Sequence, residues 1–224
     1  MFRRFFRKIK LPLFAAGIGL FLYTDISETA FYMNNLYYKN SKYASKHFWE
    51  NEYKEDSSQY DWYVKYELIS PIIKEFIKPE DEVLQIGAGN SGMAEDMYKD
   101  NYKKITNIDI SEEVVKEMIK YYKERNIELN YFQMDMMKLN FKENSFDVIL
   151  DKAGSDVLLV GKKPFKTYRK FMNELEKVLK KNGKFIFITL FSNFPINNVI
   201  DQTKWEILNF IIEEKYSILI LRKK

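Results

Sequence analysis

Beyond about residue 43 the apolar positions follow two rhythms. In KHFWENEYKED and DWYVKYELISPIIKEFIK they recur three and four apart, the spacing of helices that bury one face. Pro79 and the acids after it end the second helix. VLQI, residues 83–86, is a short apolar run bounded by turn residues and reads as a strand. A helix is expected from about Gly92 to Asp100, and ITNID, residues 105–109, is a second strand ending on a carboxylate. Ser111 is a candidate N-cap for the next helix, with Val114 where a capping box would place Glu. Residues 128–135, ELNYFQMD, and 145–151, SFDVILD, read as strands three and four. PFKTYRKFMNELEKVLKK gathers Phe171, Leu175, Val178 and Leu179 on one side of a helix that Asn182-Gly183 is expected to stop, and KFIFITLF is strand five. WEILNFII and YSILILR flank Glu-Glu-Lys and predict a terminal hairpin.

Strands alternating with helices and closed by a hairpin predict an α/β fold. The expected core is a Rossmann-like, seven-stranded, mostly parallel sheet with an antiparallel C-terminal hairpin and helices on both faces. No internal repeat or low-complexity run interrupts residues 41–224, which are read as one domain.

Residues 1–40 read differently. The first ten, MFRRFFRKIK, hold five basic groups and no acid, and residues 11–23 are thirteen uncharged positions. That run is short for a bilayer span, which needs about 20 residues. A basic start with Phe2, Phe5, Phe6 and Ile9 on one helical face suits mitochondrial import, and the apolar run behind it suits a membrane anchor through residues 1–23. Mitochondrial and membrane-anchored locations are both expected, with a cytosolic one as the alternative.

Charge narrows the partners. Without the first ten residues, 31 basic side chains meet 32 acidic ones, so the body is close to neutral and no nucleic-acid partner is expected. With no cysteine and one histidine, His47, thiolate zinc sites and cysteine nucleophiles are excluded and no metal is expected. His47 lies on a helix face and reads as a surface residue.

In such a sheet, ligands bind beyond the carboxyl ends of the strands. After strand one, GAGNSG carries Gly87, Gly89 and Gly92, which let a backbone turn tightly and approach a ligand closely. That loop suits a dinucleotide or S-adenosylmethionine (SAM) equally, and also a plain tight strand–helix turn. Asp109, after strand two, can accept hydrogen bonds from ribose hydroxyls, or serve the start of the next helix. Asp135, after strand three, can accept from an adenine amino group, which a dinucleotide fold does not require. Met136 beside it offers flat apolar contact to a purine. Beyond strand four, DKAGSDVLLVG places Asp151, Lys152 and Asp156 where a reacting group would lie. The plainer reading of the first two is a surface ion pair.

Together these residues resemble a class I SAM-dependent methyltransferase. More narrowly, they are similar to the methyltransferase-like 13 / elongation factor 1A lysine methyltransferase 4 group. The segments that carry the likeness are FWENEY, YDWYVKY, LQIGAGNSGMAEDMY, ITNIDIS, MDMMKLNFKENSFDVILDKAGSDVLL and ELEKVLKKNGKFIFITL. The resemblance implies that aromatics ahead of the sheet close over SAM, placing Trp49, Tyr53 and Trp62 against it. It puts Gly87, Gly89, Asp109, Ile110, Asp135, Met136 and Lys152 on the other cofactor-binding positions. Without it, Trp49 and Tyr53 read equally as a stripe that packs a helix on the sheet. The implied activity is methyl transfer to a lysine amine of a protein, with Asp151 and Asp156 as candidates for taking the amine proton. A small-molecule N- or O-methyltransferase and a catalytically degenerate scaffold are the alternatives. The chain departs from the group at Ala88 and Ala153, where the group carries Cys and Gly. The segment FSNFPINNVIDQTKW after strand five also matches it poorly.

Overall fold

The computed structural model describes residues 41–160, 163–192 and 194–224. The basic and apolar N-terminal segment lies outside the described residues, and no helix among those described is long and apolar enough to cross a membrane.

A short 3-10 turn, Ser41–Ala44, leads into α1 (Lys46–Glu55) and, after an extended stretch, α2 (Tyr66–Phe76). The alternating body follows as β1 (Val83–Ile86), α3 (Met93–Lys99), β2 (Ile105–Asp109), α4 (Glu112–Glu124), β3 (Asn130–Gln133) and β4 (Phe146–Lys152). Then come α5 (Asp156–Leu159), α6 (Pro164–Val178), β5 (Leu179–Thr189), α7 (Ile196–Val199), β6 (Trp205–Ile212) and β7 (Ser217–Lys223). The sheet order is β3-β2-β1-β4-β5-β7-β6, with β1 to β5 parallel and β7 antiparallel between β5 and β6. The order reverses direction beside β1, so the tips of β1, β2 and β4 border one crevice, where ligands of open α/β sheets bind.

Strand alternation divides the core in two. Val83, Val148, Leu150, Ile186 and Ile188 face α2, α3 and α4 through Ile69, Ile73, Met93, Met97, Val114 and Met118. Leu84, Ile86, Ile149, Phe185 and Phe187 face α6 through Phe171, Leu175 and Val178. Because successive side chains leave a strand on opposite faces, Asp151 emerges on the α6 side of β4 and Lys152 on the side of α2.

Four features differ from the sequence reading. The first part of the second expected helix, DWYV, is not helical: Tyr63 takes φ +63° and Lys65 caps α2 in extended conformation. Residues 56–65 instead form a strap whose side chains are tied to the strand tips. Within α2, Pro71 cannot bond the Glu67 carbonyl, and the Ser70 hydroxyl donates to that oxygen at 3.1 Å instead. The helix α6 stops at Val178 and not at Gly183. Leu179 is fully buried and already pairs with Phe146, while Asn182, at φ +62°, turns the chain inside β5 before Lys184 pairs with Val148. The one-turn helices α5 and α7 are too short to show a period in sequence.

Candidate active site

At the tip of β1 the chain turns through Gly87 and Gly89, at φ +55° and +56°, where a side chain is strained. A Cβ on Gly87 would lie 2.8 Å from the Gly154 Cα, and one on Gly89 2.7 Å from the Tyr53 hydroxyl oxygen. The Ala88 N–H donates to the Ile108 carbonyl at 3.0 Å and holds the loop against β2.

Asp109 closes β2 and is nearly buried. One carboxylate oxygen accepts the Gly89 N–H and the other the Ser111 N–H, each at 3.0 Å. Burial pushes its carboxyl up to about 6, against the pull of these amides. Gly89 is held from the other side too, since its carbonyl accepts the Tyr131 hydroxyl at 2.7 Å. Ser111 is the N-cap of α4, as expected, accepting the Val114 N–H at 3.5 Å. Asp109 thus takes the N-cap N–H that a capping-box carboxylate would. Glu50 of α1 accepts the Glu112 and Glu113 N–H groups at 3.0 and 3.2 Å and the Ser111 hydroxyl at 2.8 Å. These bonds outweigh its partial burial and hold its carboxyl below the usual range.

The tip of β3 adjoins that of β2 through a 2.9 Å bond from the Met134 N–H to the Asp109 carbonyl. Asp135, just beyond, is exposed and accepts the Met137 N–H at 2.8 Å, and Met136 packs half-buried beside it. Ile110 is half-buried, and its carbonyl accepts the Gln133 side chain at 3.2 Å.

The aromatics converge above this loop. Trp49 donates its indole N–H to the Tyr43 carbonyl at 2.8 Å, and its ring lies 6.0 Å from Tyr53 and 6.1 Å from Trp62. Tyr53 is buried in the core facing α2 to α4 and also sits against Gly89, so packing and proximity to the loop go together. His47 is exposed on α1, where its ring meets the Asn51 amide.

The strap is pinned along its length. Asn90 donates to the Ser58 carbonyl at 2.8 Å, and Asp61 accepts from both the Ser91 hydroxyl and the Lys152 ammonium. Lys152 also donates to the Val64 carbonyl at 3.1 Å. Burial draws the Lys152 ammonium below its usual pKa, and the Asp61 carboxylate opposes that shift. The expected surface pair between Asp151 and Lys152 is therefore not formed, because the two side chains leave opposite faces of the sheet.

Asp151 is 0% exposed and accepts the Ser155 N–H at 3.0 and 3.3 Å, with the Ser155 hydroxyl 3.1 Å from that of Tyr168. Burial pushes its carboxyl up to about 7, with the nearby Asp156 adding to the rise. Asp156 accepts the Tyr63 hydroxyl at 2.7 Å, the Thr189 hydroxyl at 2.7 Å and the Leu190 N–H at 3.2 Å. Burial lifts it to about 6. Both carboxylates are nearly buried. A polar cavity of about 330 Å³, lined among others by Gln59, Asp61, Glu95 and Tyr121, meets the glycine loop only at Gly92 and touches none of Asp109, Asp135 and Asp151.

Sequence reasoning passed over Glu50, Asp61, Tyr63, Tyr131 and Thr189. Each sits inside a segment whose apolar neighbours carried the pattern, and each finds its partner 20 or more residues away, beyond the reach of local spacing.

These residues suit SAM. The glycine turn packs against Tyr53 and Gly154, carboxylates of the kind an adenosine needs as acceptors stand at the tips of β2 and β3, and three rings of the kind that attract a cationic sulfur gather around Tyr53.

Comparison with known proteins agrees. A family described as a methyltransferase domain matches residues 84–187. The human eEF1A lysine and N-terminal methyltransferase is 32% identical over 161 residues, covering 70% of this chain and 23% of that protein. The mouse EEF1A lysine methyltransferase 4 is 29% identical over 162 residues, covering 67% of this chain and 63% of that protein. The chain thus spans about a quarter of the length of the larger relatives it matches. Among solved structures, a SAM-dependent methyltransferase from Methanosarcina mazei superposes with a TM-score of 0.59 at 18% identity, over 68% of this chain and 97% of that one. A protein from Pyrococcus horikoshii gives the same TM-score and identity over 71% and 89%. Sheet order, glycine cradle and the match over residues 84–187 support a class I SAM-dependent methyltransferase domain, similar over about 70% of this chain to the eEF1A lysine methyltransferases.

Proposed function

We propose that the chain transfers a methyl group from SAM to a lysine amine of a protein. The observation that carries this reading is the succession of strand tips: Gly89 bonded to Asp109, Asp135 on the next strand, and Trp49, Tyr53 and Trp62 above them. The relatives named for eEF1A lysine methylation supply the substrate class.

SAM supplies an electrophilic methyl group on a cationic sulfur. The chain's own residues bind, orient and exclude water. Asp109 takes the ribose hydroxyls with the lone pairs its two amide bonds leave free, and Asp135 takes the adenine amino group. Ile110 and Met136 contact the purine, and Gly87 and Gly89 admit close backbone approach. The three rings face the sulfonium. Lys152 holds the strap over the site through Asp61 and Val64. A lysine amine begins near pKa 10.4 and must lose its proton before it attacks, so an acceptor for that proton is needed. Of the two carboxylates expected for this task, Asp151 is fully buried against Ser155 and Asp156 nearly buried under three donors, so either reaches an incoming amine only if these contacts open.

Ala153 favours a second reading. It stands at φ +71°, where the group's glycine would be unstrained, and the strain beside Asp151 is compatible with a chain kept as a scaffold. Calorimetry with SAM and NAD, followed by incubation of the protein with radiolabelled SAM and lysate, separates the readings. SAM binding with one labelled protein band supports a protein methyltransferase, and label in small molecules alone moves the substrate class. Binding of neither cofactor leaves the scaffold.

The basic and apolar start supports a membrane or mitochondrial location. A fusion of residues 1–40 to a fluorescent protein that stays diffuse in the cytosol would remove both.

A further inference from the structure

Asp156 receives more hydrogen bonds than a proton acceptor in waiting would. It opens α5 just beyond β4, is 6% exposed, and gathers donors from two distant segments. Its Oδ2 accepts the Tyr63 hydroxyl from the strap and the Leu190 N–H, and its Oδ1 accepts the hydroxyl of Thr189, the last residue of β5. The Thr189 oxygen in turn accepts the Phe191 N–H at 3.1 Å. One carboxylate therefore links the strap, the start of α5 and the first residues after β5. Tyr63 is next to Trp62, whose ring is 6.1 Å away and which belongs to the aromatic group over the glycine loop. On the other side, Leu190 and Phe191 begin the stretch toward β6, where the sequence departs most from its group.

We infer that Asp156 is a positioning residue, not the base: it joins the strap beside the glycine loop to the first residues after β5, so that the two segments set together. This rests on reading the site as that of a methyltransferase. Three donors occupy both oxygens of this nearly buried carboxylate. The three groups it holds are separated by 93, 33 and 34 residues, so no local turn accounts for their meeting. Asn replaces one of the two accepting oxygens with an NH2 and removes the charge, so the three groups can no longer all donate to it.

The test uses the full chain with Asp156→Asn, Tyr63→Phe and the double variant. Hydrogen exchange is followed in residues 58–64 and 189–192, alongside calorimetry with SAM. Each single variant should speed exchange in the strap. Asp156→Asn should also speed it at Leu190. A hydrogen bond to a charged acceptor is worth enough that each single variant should bind SAM about tenfold more weakly. The double variant should bind no more weakly than Asp156→Asn, because both changes cut one link. Labelling of lysate should show the KM for SAM rising more than kcat falls. Should Asp156→Asn keep wild-type SAM affinity and strap exchange while losing transfer at saturating SAM, it is the base and the inference is overturned. Wild type that binds no SAM removes the methyltransferase reading itself, and the exchange comparison, which needs no cofactor, still decides whether Asp156 joins the two segments.

Discussion

Gly89→Ala is the sharpest probe of the cradle, because its cost divides into two parts that a second substitution separates. At φ +56° any L side chain pays left-handed strain of about 1–2 kcal/mol. The added Cβ would also lie 2.7 Å from the Tyr53 hydroxyl oxygen, so the buried ring must move, which adds about 1–3 kcal/mol for an overpacked site. The sum is a loss of roughly 2–5 kcal/mol. In a Tyr53→Phe background the colliding oxygen is gone, and the next atom of the ring is 3.8 Å from the Cβ, an ordinary contact. There Gly89→Ala should cost only the backbone part, about 1–2 kcal/mol. Urea unfolding of the four proteins of this cycle measures the coupling. Equal cost of Gly89→Ala in both backgrounds would show that Tyr53 does not rest on the loop, and the placement of α1 over the strand tips would be wrong.

Asp109→Ala leaves the Gly89 and Ser111 amides without their acceptor and should abolish SAM binding by calorimetry; unchanged affinity would take Asp109 out of the site. Ala153→Gly relieves left-handed strain of about 1–2 kcal/mol but frees the unfolded chain by about 0.4–1, so a net gain of about 0–1.6 kcal/mol is expected in denaturant unfolding. A loss would mean that the alanine methyl packs usefully there. Asp151 has its carboxyl raised from 3.8 to about 7 by burial, so between those values the folded protein holds a proton that the unfolded chain has released. Its contribution to stability is therefore lost as pH rises through that window and is constant above it. Asp151→Asn should become more stable relative to wild type from pH 5 to pH 8, by on the order of 2–4 kcal/mol. Asp109, also raised, drifts alike in both proteins and cancels, whereas Asp156, whose charge adds to the rise at Asp151, titrates together with it. Parallel stability curves would refute the burial argument.

The sheet was legible because its strands are short apolar runs cut off by glycines, asparagines and carboxylates, and because the hairpin at the end had nowhere to go but an antiparallel edge. The residues at the strand tips were legible for a related reason. A polar residue directly after an apolar run is placed by the strand itself, so Asp109, Asp135 and Asp151 could be located to a residue. The strap was not. DWYV carries the spacing of a helix, but its conformation is decided by Lys152 and Asp156, about 90 residues further on. The end of α6 was misplaced for a similar cause. Asn182-Gly183 is a good stop signal, but burial of Leu179 beside Phe146 draws the chain into the sheet before the signal is reached.

The same contrast bears on which polar residues here are structural and which are exposed to a ligand. Asp109, Asp151 and Asp156 are three nearly buried carboxylates without an ion-pair partner among the described salt bridges, and each is met instead by backbone amides or hydroxyls. A buried charge held only by neutral donors is expensive, and a fold that needed only stability would fill these tips with apolar side chains. Lys152, the one buried cation found with a partner among them, is spent on the strap. Of the three acids, Asp109 stands at the tip of β2 beside the glycine loop, where α1 brings Tyr53 against Gly89. That combination favours a ligand that is cationic and partly apolar, and a sulfonium bearing an adenosine meets both demands where a pyrophosphate would be repelled.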